Sequence, residues 1–509
     1  MLTRFKVSGF KNLIDVDVRF GPFTCIAGAN ATGKSNLFDA IGFLSALAND
    51  TLVGAASSVR GDTRHPMDIR SLFHHAAGRY APEISFEAVM IVPSTGVDDL
   101  GQDAQASITF LRYSLIISCR NERGSRDPGE LEIRREELTH INQKDAKINL
   151  PFYHQAAWRK SVVKGARRQA PFISTEIEGE RRVIKLHQDG RQGKPRQRSA
   201  SDLPRTMLSA SNAAENPTVL LARREMQSWR LLQLEPAALG KPCGLRAPKE
   251  LGTDGSHLAS ALFYHAHENG SRLTGTLDST GDAIQIYTQV ANRLAGLIED
   301  IREITVDEDP KRELLTLVAT DRNNTRHSAR VLSDGTLRFL ALAVLELDPR
   351  AQGLICLEEP ENGIHPERIP AMLDLLQDVA VDTTLPIGAD NPMRQIIVNT
   401  HSPAVVGQVP DNSLLVAQIL KTVDKDRRYC RASFACLPDT WREKTEDPAL
   451  LVPKGKLLVY LNPIGPLGVE SGSRYDNPQA ADEQMPPMRR VADRPDLQLL
   501  LPFSNRAVD

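Results

Sequence analysis

Residues 28–35 read Gly-Ala-Asn-Ala-Thr-Gly-Lys-Ser, which matches the pattern G-x-x-x-x-G-K-[ST]. In such a loop, consecutive backbone N–H groups and the N-terminus of the following helix face phosphate oxygens. Lys34 would add a positive charge between the β- and γ-phosphates, and Ser35 would offer a hydroxyl to Mg²⁺. The alternative is a chance glycine turn. The pattern predicts a site for a magnesium nucleoside triphosphate.

A pair of carboxylates, Glu358 and Glu359, follows the apolar run at residues 354–357. Two carboxylates at the tip of a buried strand are costly unless they meet a cation. Beside a phosphate loop, Glu358 can hold Mg²⁺ and Glu359 can orient or deprotonate the attacking water. The alternative is a solvated acidic loop.

Two further segments have weaker chemical signals. His401 lies in Thr-His-Ser after the apolar strand at residues 395–399, at the edge where α/β sheets place ligands. It can contact a γ-phosphate or be an ordinary loop residue. Ser333 and Gly335 lie in Leu-Ser-Asp-Gly-Thr before an apolar helix, where Ser333 is also a candidate helix N-cap.

The flanking pattern supplies the elements that must position these groups. The run at residues 23–27 is apolar and predicts a strand, and Leu37, Ile41, Leu44 and Ala48 repeat at helical spacing. Alternating stretches within residues 82–150 predict further strands. From residue 331, short apolar strands alternate with helices, and residues 414–423 and 429–437 predict a hairpin.

Composition excludes several classes of protein. The 509 residues carry 62 basic and 64 acidic side chains, so the net charge is −2, and aromatic residues are only 5%. A nucleic-acid coat protein is excluded, although residues 159–205 hold 13 basic and 5 acidic side chains, a local charge of +8. The six cysteines form no CxxC pair and indicate a reducing cytosol. No apolar run is long enough to span a membrane.

We divide the chain by these changes in pattern. Residues 1–158 are predicted to form an N-terminal lobe with the phosphate loop and antiparallel strands. Residues 159–206 are predicted to be a basic, partly disordered linker, and residues 207–330 a mainly helical insert. Residues 331–440 are predicted to form a C-terminal lobe, followed by a loosely ordered extension at 441–509 with a docking strand at 497–501.

The four blocks, in this order, resemble the ABC-type ATPase heads of the SMC and RecF-like families. They look most like compact bacterial AAA-domain ATPases related to the OLD family. Residues 28–36 resemble Walker A, 332–338 the signature motif, 354–366 Walker B with the D-loop, and 399–403 the switch histidine. Residues 9–13 and 251–259 also resemble segments of these heads. The implied fold is α/β, an ABC-type head with a mixed sheet and an antiparallel β subdomain, without a long coiled coil.

The resemblance implies the role of each matching residue. Glu359, His401 and Lys34 would be catalytic, and Ser35 and Glu358 would hold Mg²⁺, although many relatives carry Asp where Glu358 stands. The residues implied in binding ATP are Gly28, Asn30, Ala31, Thr32, Gly33, Lys34, Ser35, Asn36, Lys11, Asn12, Ser333 and Gly335. Ser333 and Gly335 would reach the nucleotide of a second copy, because heads of this family sandwich two ATP molecules. The pattern does not place a Q-loop glutamine.

Three functions stay open from the sequence. The first is an ATPase that switches a separately encoded nuclease or toxin, similar to the ATPase subunits of Septu- or PARIS-like anti-phage systems. The second is a RecF-like repair ATPase that clamps duplex DNA, with DNA or RNA contacted by residues 159–205. The third is a scaffold that binds ATP but hydrolyses it too slowly to matter. An effector nuclease fused to the head is disfavoured, because only Asp-Lys-Asp at residues 424–426 fits its metal-binding DxD motif.

Overall fold

The computed structural model describes most of the chain. The described positions are residues 1–59, 68–120, 130–165, 168–190, 193–273, 279–295, 301–424, 427–445 and 450–453, with positions 455, 457, 490, 491 and 494. The predicted docking strand at 497–501 and most of the predicted extension lie outside these residues. None of the helices in the described ranges is both long enough and apolar enough to cross a lipid bilayer.

Strands and helices are numbered in chain order. The strands up to residue 199 are β1 (Leu2–Ser8), β2 (Val16–Arg19), β3 (Phe23–Ala27), β4 (His75–Ala76), β5 (Arg79–Tyr80), β6 (Glu83–Ile91), β7 (Thr95–Val97), β8 (Asp103–Gln105), β9 (Phe110–Arg120), β10 (Glu130–His140), β11 (Ile173–Glu178), β12 (Arg181–Leu186) and β13 (Arg196–Ser199). The later strands are β14 (Arg230–Leu232), β15 (Cys243–Gly244), β16 (Ile301–Asp309), β17 (Leu314–Asp321), β18 (Arg326–Ser328), β19 (Gly353–Glu358), β20 (Arg394–Thr400), β21 (Leu414–Asp424), β22 (Arg427–Cys436) and β23 (Leu450–Leu451). The α-helices are α1 (Lys34–Leu47), α2 (Leu52–Ser58), α3 (Ala146–Asn149), α4 (Ala156–Val162), α5 (Pro217–Gln227), α6 (Pro236–Leu239), α7 (Leu258–Leu273), α8 (Ser279–Ala295), α9 (Asp334–Leu347), α10 (Ile369–Val379) and α11 (Pro403–Gln408).

A mixed sheet of seven strands forms the centre of the fold, in the order β14-β19-β20-β3-β21-β22-β23. The strands from β14 to β21 pair in parallel, and β22 is antiparallel to β21, which confirms the predicted hairpin. Every residue of β3 and β20 is buried, as expected for parallel strands covered on both faces. Because β3, β19 and β20 are parallel neighbours, the loops that follow them leave the same edge of the sheet.

An antiparallel sheet of eight strands lies beside it, in the order β13-β12-β11-β10-β9-β6-β1-β2. Helix α1 packs between the two sheets, where Phe43 contacts Phe10 and Phe86 with ring centroids 6.0 and 5.8 Å apart. On the other face of the seven-stranded sheet, α9 and α10 bury their apolar side chains against β19 and β20. The phosphate loop therefore begins a helix that is fixed by packing on both sides.

The basic segment at residues 159–206 is not a linker, and this expectation is wrong. Strands β11, β12 and β13 lie within it and extend the eight-stranded sheet, with β10 paired to β11. Residues Ile173, Ile184 and Leu186 are buried in the core and carry the segment's apolar face. The high charge lies on the other face and at the sheet edge, and a count of basic residues does not distinguish this arrangement from disorder.

The region predicted to be a helical insert also contains a sheet. Helices α7 and α8 pack on each other, and they cover strands β15 to β18, which form a separate four-stranded sheet. The longest helix in the described part of the chain is α8, with 17 residues. The fold is therefore mixed α/β with a central mixed sheet and an antiparallel sheet, without a long coiled coil in these residues.

Candidate nucleotide site

The phosphate loop joins β3 to α1 through backbone conformations that its sequence permits. Gly33 caps α1 with φ of +100°, and Ala31 has φ of +63°. A Cβ on Gly33 would lie 2.6 Å from Ala432 Cβ, and one on Gly28 would lie 2.7 Å from the carbonyl oxygen of Ala417. The two glycines of the motif are thus required by the close approach of β21 and β22 as well as by the turn.

Lys34 lies inside the loop rather than on its surface. Its Nζ atom donates hydrogen bonds to the carbonyl oxygens of Gly28 at 2.6 Å and Ala29 at 2.9 Å. Burial lowers the pKa of Lys34, and the nearby carboxylates Glu359, Glu361 and Glu358 act in the opposite direction. A buried ammonium held by two carbonyls gains from an anionic partner, which a triphosphate supplies.

The acidic loop begins where β19 ends. Glu359 has φ of +46°, and its backbone N–H donates to both the carbonyl and the side-chain oxygen of Asn399, each at 3.1 Å. These two bonds hold a residue of β19's exit loop to the end of β20.

The carboxylate of Glu359 is held on both oxygens. Asn362 Nδ2 donates to Oε2 at 2.9 Å, and His401 Nδ1 lies 2.7 Å from Oε1. Burial raises the pKa of Glu359, but Asn362, His401 and Lys34 together outweigh burial, so the net shift is downward. Glu359 is therefore ionised at neutral pH and can accept a proton.

One cavity of about 480 Å³ is lined by both loops. The residues that line it are Asn30, Ala31, Thr32, Gly33, Lys34, Ser35, Asn36, Gln233, Leu234, Glu235, Pro236, Arg338, Glu358, Glu359, Asn362 and Asn399. The structure thus brings the predicted phosphate loop and the predicted carboxylate pair together. His401 does not line this cavity and instead contacts Glu359.

Lys11 and Asn12 approach the loop from behind. Lys11 Nζ forms an ion pair with Asp39 Oδ2 at 2.7 Å, and Asn36 Nδ2 donates to Asn12 Oδ1 at 2.8 Å. Neither residue lines the cavity. Their contacts anchor α1 to the segment after β1, which is a supporting role.

Ser333 and Gly335 line a different cavity, of about 180 Å³, with residues 363–365 and Arg368. Ser333 is the N-cap of α9, because its Oγ accepts the backbone N–H of Thr336 at 3.3 Å. The N-cap interpretation is therefore observed. Gly335 packs closely on the acidic loop, because a Cβ there would lie 2.5 Å from the carbonyl oxygen of Gly363.

Sequence reasoning missed several residues that line the larger cavity, among them Gln233, Glu235, Arg338, Asn362 and Asn399. Gln233 follows β14, which has only three residues, so no periodicity indicates the strand. Arg338 donates from Nε to Leu234 O at 3.0 Å and from Nη1 to Asn362 O. It thereby joins α9 to the loop after β14 and to the acidic loop. Asn362 could have been proposed from the sequence, because it lies only three residues after Glu359.

Comparison with known proteins agrees with this arrangement. The family model described as "AAA domain, putative AbiEii toxin, Type IV TA system" matches residues 23–92 and 247–407. These segments contain both loops that line the larger cavity. Over these segments, which make up somewhat less than half of its length, the chain is similar to this family of AAA domains. No curated protein sequence matches it.

Solved structures with similar folds include heads of Smc proteins. The Smc head bound to the C-winged-helix domain of ScpA has 12% identity to this chain and a TM-score of 0.44. The alignment covers 86% of this chain and 98% of the Smc head. The Pyrococcus furiosus head with an extended coiled coil has 11% identity and a TM-score of 0.42, with 86% and 96% covered. The Thermotoga maritima head has 11% identity and a TM-score of 0.36, with 86% and 98% covered.

The arginines of the basic segment divide into two groups. Arg168 is structural: it donates to the carbonyls of Ala170, Gln188 and Asp189 and stacks on Phe172 at 4.1 Å. In contrast, the side chains of Arg181, Arg196 and Arg198 are exposed on β12 and β13, with Arg196 3.5 Å from Glu215. Arg167 lies outside the described residues.

Proposed function

We propose that this AAA-domain protein hydrolyses magnesium ATP, that two copies enclose two nucleotides, and that the closed pair switches a partner effector. The observation that carries the proposal is the 480 Å³ cavity, because it is lined by both the phosphate loop and the carboxylate pair. A second observation supports the pairing. Ser333 and Gly335 line a separate cavity and not the nucleotide cavity of their own chain, so a contact between them and ATP would be made to the nucleotide of a second copy.

The residues present fit a nucleotide with magnesium. Backbone N–H groups of the loop and the N-terminus of α1 would hold the phosphates, and Lys34 would exchange its carbonyl partners for phosphate oxygens. Ser35 and Glu358 both line the cavity and supply hard oxygen donors. Among the described residues, no cluster of three or more acidic, His or Cys side chains could hold a metal alone. Phosphate oxygens would supply the other ligands of magnesium, and the ion would neutralise part of their charge.

The carboxylate of Glu359 would take the proton from the attacking water. The water oxygen forms a bond to the terminal phosphorus as the bond to the β-phosphate oxygen breaks, and ADP leaves. His401 holds Oε1 of Glu359 and Asn362 holds Oε2, so the carboxylate has a fixed orientation. Positioning of this kind is the main contribution that a protein makes to phosphoryl transfer.

Pairing can be tested by mixing two inactive variants. Lys34→Ala removes the phosphate contact, and Ser333→Arg blocks the smaller cavity. If each site combines the loop of one copy with Ser333 of the other, a mixed pair keeps one intact site, so hydrolysis returns in the 1:1 mixture. Each variant alone is the control. A mixture that stays as inactive as its components would contradict the pairing.

Control of an effector rests on the family resemblance, which is to anti-phage ATPase subunits of the Septu or PARIS kind. The expected partner is a separately encoded nuclease or toxin. The test measures DNA and RNA cleavage by the pure chain, then by the chain with the product of its genomic neighbour. Cleavage by the chain alone would contradict a two-component system.

A DNA clamp is the second candidate, and the exposed guanidinium groups of Arg181, Arg196 and Arg198 favour it. It predicts ATP-dependent duplex binding that weakens steeply with salt. Replacing Arg196 and Arg198 together with Ala should reduce the affinity and the salt slope. Arg322→Ala, at an exposed position in the turn between β17 and β18, is the control. Unchanged affinity in the double variant would exclude this strand as the contact.

A further inference from the structure

Glu361 is a buried carboxyl group beside the site that the mechanism above does not use. It lies two residues after Glu359, and only 6% of it is exposed. One oxygen, Oε1, accepts the hydroxyl of Thr400. The other, Oε2, is buried without a hydrogen-bond partner among the described residues. A half-satisfied carboxyl in the interior is costly, so a structural role alone explains it poorly.

Thr400 connects Glu361 to both halves of the site. It is the last residue of β20, and its carbonyl oxygen accepts the N–H of Gly28, the first residue of the phosphate loop, at 3.2 Å. Its hydroxyl donates to Glu361 and accepts the N–H of Ser402 at 2.9 Å. That second bond closes the turn that carries His401.

The network returns to the candidate base. His401 Nδ1 lies 2.7 Å from Glu359 Oε1, and Glu359 shares its loop with Glu361. A shift of the Thr400 hydroxyl would therefore move His401 relative to Glu359. Neither Glu361 nor Thr400 lines the nucleotide cavity, so an effect of either on hydrolysis must act through other residues.

Ionisation of this carboxyl is disfavoured by its surroundings. Burial raises the pKa of Glu361, the nearby Glu359 acts in the same direction, and the Thr400 hydroxyl and His401 oppose them. On other elements, the charges of Lys34 and Arg338 interact with Glu361. A carboxyl oxygen can accept the Thr400 hydroxyl in either protonation state, so the link does not depend on the charge of Glu361.

We propose that Glu361 is a positioning residue for the hydrolysis proposed above: through the Thr400 hydroxyl it fixes the turn in which His401 holds Glu359. This inference rests on the proposed function. It assigns Glu361 to the orientation of the base and not to nucleotide binding. Thr400 carries the effect of Glu361 to the histidine turn.

The test uses the full chain and four variants. Glu361→Ala and Thr400→Val remove the two ends of the link, the double variant removes both, and Thr400→Ser keeps the hydroxyl. Thr109→Val is the matched control, since Thr109 is a buried threonine whose hydroxyl bonds the carbonyl of Val162 at 2.6 Å, far along the chain from the site. Turnover and KM for ATP are measured, with thermal unfolding as a check on folding.

The expected result is a fall in kcat of about 10-fold to 100-fold for Glu361→Ala and Thr400→Val, with KM for ATP within about 3-fold. The double variant should be no worse than the poorer single variant, because both break one link. Thr400→Ser should restore most of the turnover, and Thr109→Val should keep kcat. Full kcat in Thr400→Val, additive losses, or a change confined to KM would overturn the proposal.

A second readout separates this inference from the proposed function. The Nδ1 chemical shift of His401, followed by NMR, reports its contact with Glu359 whether or not ATP is hydrolysed. We expect it to change in Glu361→Ala and Thr400→Val and to stay constant in Thr109→Val. If the wild type does not hydrolyse ATP but these shifts appear, the proposed function fails and the positioning network stands. If hydrolysis is present and the His401 signal is the same in all variants, the network fails.

Discussion

Two buried glutamates show how the two large sheets differ. Glu136, in the eight-stranded sheet, accepts the backbone N–H groups of Met207 and Leu208 and the hydroxyl of Tyr113, so both of its oxygens are satisfied. Glu361, at the edge of the seven-stranded sheet, has a partner for only one oxygen. A buried glutamate thus has hydrogen-bond partners for both carboxyl oxygens in one sheet, and for only one carboxyl oxygen at the edge of the other.

Other costly arrangements lie at the edge of the seven-stranded sheet. Glu359 and Ala31 have positive φ there, as do Lys11 and Asp15 between β1 and β2, and the buried ammonium of Lys34 donates to loop carbonyls. Strained and poorly satisfied groups gather at functional sites because the surrounding structure holds them there for another purpose. We propose that the eight-stranded sheet supplies the support and that the seven-stranded sheet carries the chemistry.

Replacing Glu359 should affect activity and not stability. Glu359→Gln keeps the shape and the backbone bonds but cannot accept a proton, so we expect kcat to fall about 10²-fold to 10⁴-fold. ATP should still bind, and a nucleotide-bound pair should accumulate in size-exclusion chromatography. Glu367→Gln, whose side chain is 87% exposed, is the control. Little change in an already slow turnover would favour a nucleotide-binding scaffold over an ATPase.

Replacing Glu136 should affect stability and not activity. Glu136→Ala leaves two backbone N–H groups and the Tyr113 hydroxyl without their acceptor. We expect the free energy of unfolding to fall by about 3 to 5 kcal/mol, measured by chemical denaturation. Glu137→Ala, at the next and partly exposed position, should cost much less. A large loss of kcat in folded Glu136→Ala protein would contradict the division between the sheets.

The pH dependence of stability should carry the signature of Glu136. Burial raises the pKa of Glu136 to about 7, from an ordinary value of 4.5. The folded state then binds this proton more tightly than the unfolded state, so its stabilisation is present below about pH 4.5 and is lost as the pH rises to about 7. The change in unfolding free energy is about 3 kcal/mol. Glu136→Gln should flatten that part of the profile, and an unchanged slope would assign it to other groups.

Replacing a glycine of the phosphate loop should change stability by the smallest amount, and a second glycine in the following helix serves as its control. Gly33→Ala places a Cβ 2.6 Å from Ala432 Cβ at φ of +100°, so we expect a loss of about 1 to 3 kcal/mol in thermal unfolding. Gly42→Ala lies in the same helix with open space around its Cβ, and it should be neutral or stabilise by about 0.5 to 1 kcal/mol. Equal effects at the two glycines would contradict the argument from close packing.

The sequence predicted the elements that local patterns determine. The phosphate loop lies between β3 and α1 as its motif requires, and the apolar runs at residues 354–357 and 395–399 became the buried strands β19 and β20. The hairpin of β21 and β22 also agrees. These elements are encoded by neighbouring residues, because a buried parallel strand needs a continuous apolar run and a helix needs its own period.

Long-range contacts explain most of what the sequence did not predict. Strands β11 to β13 are polar on one face and become a sheet only against β10, so they looked like a linker. Gln233 and Arg338 reach the cavity from elements far apart in the chain, and the Asp39 partner of Lys11 is 28 residues away. The half-satisfied carboxyl of Glu361 is visible only once β19 and β20 are paired.

We expect the phosphate loop and the carboxylate pair to bind one magnesium ATP between them. Isothermal titration calorimetry of the pure chain with ATP and Mg²⁺ measures this binding, with Lys34→Ala as the comparison. We predict one ATP bound per wild-type chain and no measurable heat for Lys34→Ala. Absence of binding to the wild type, or equal binding by both proteins, would contradict the account.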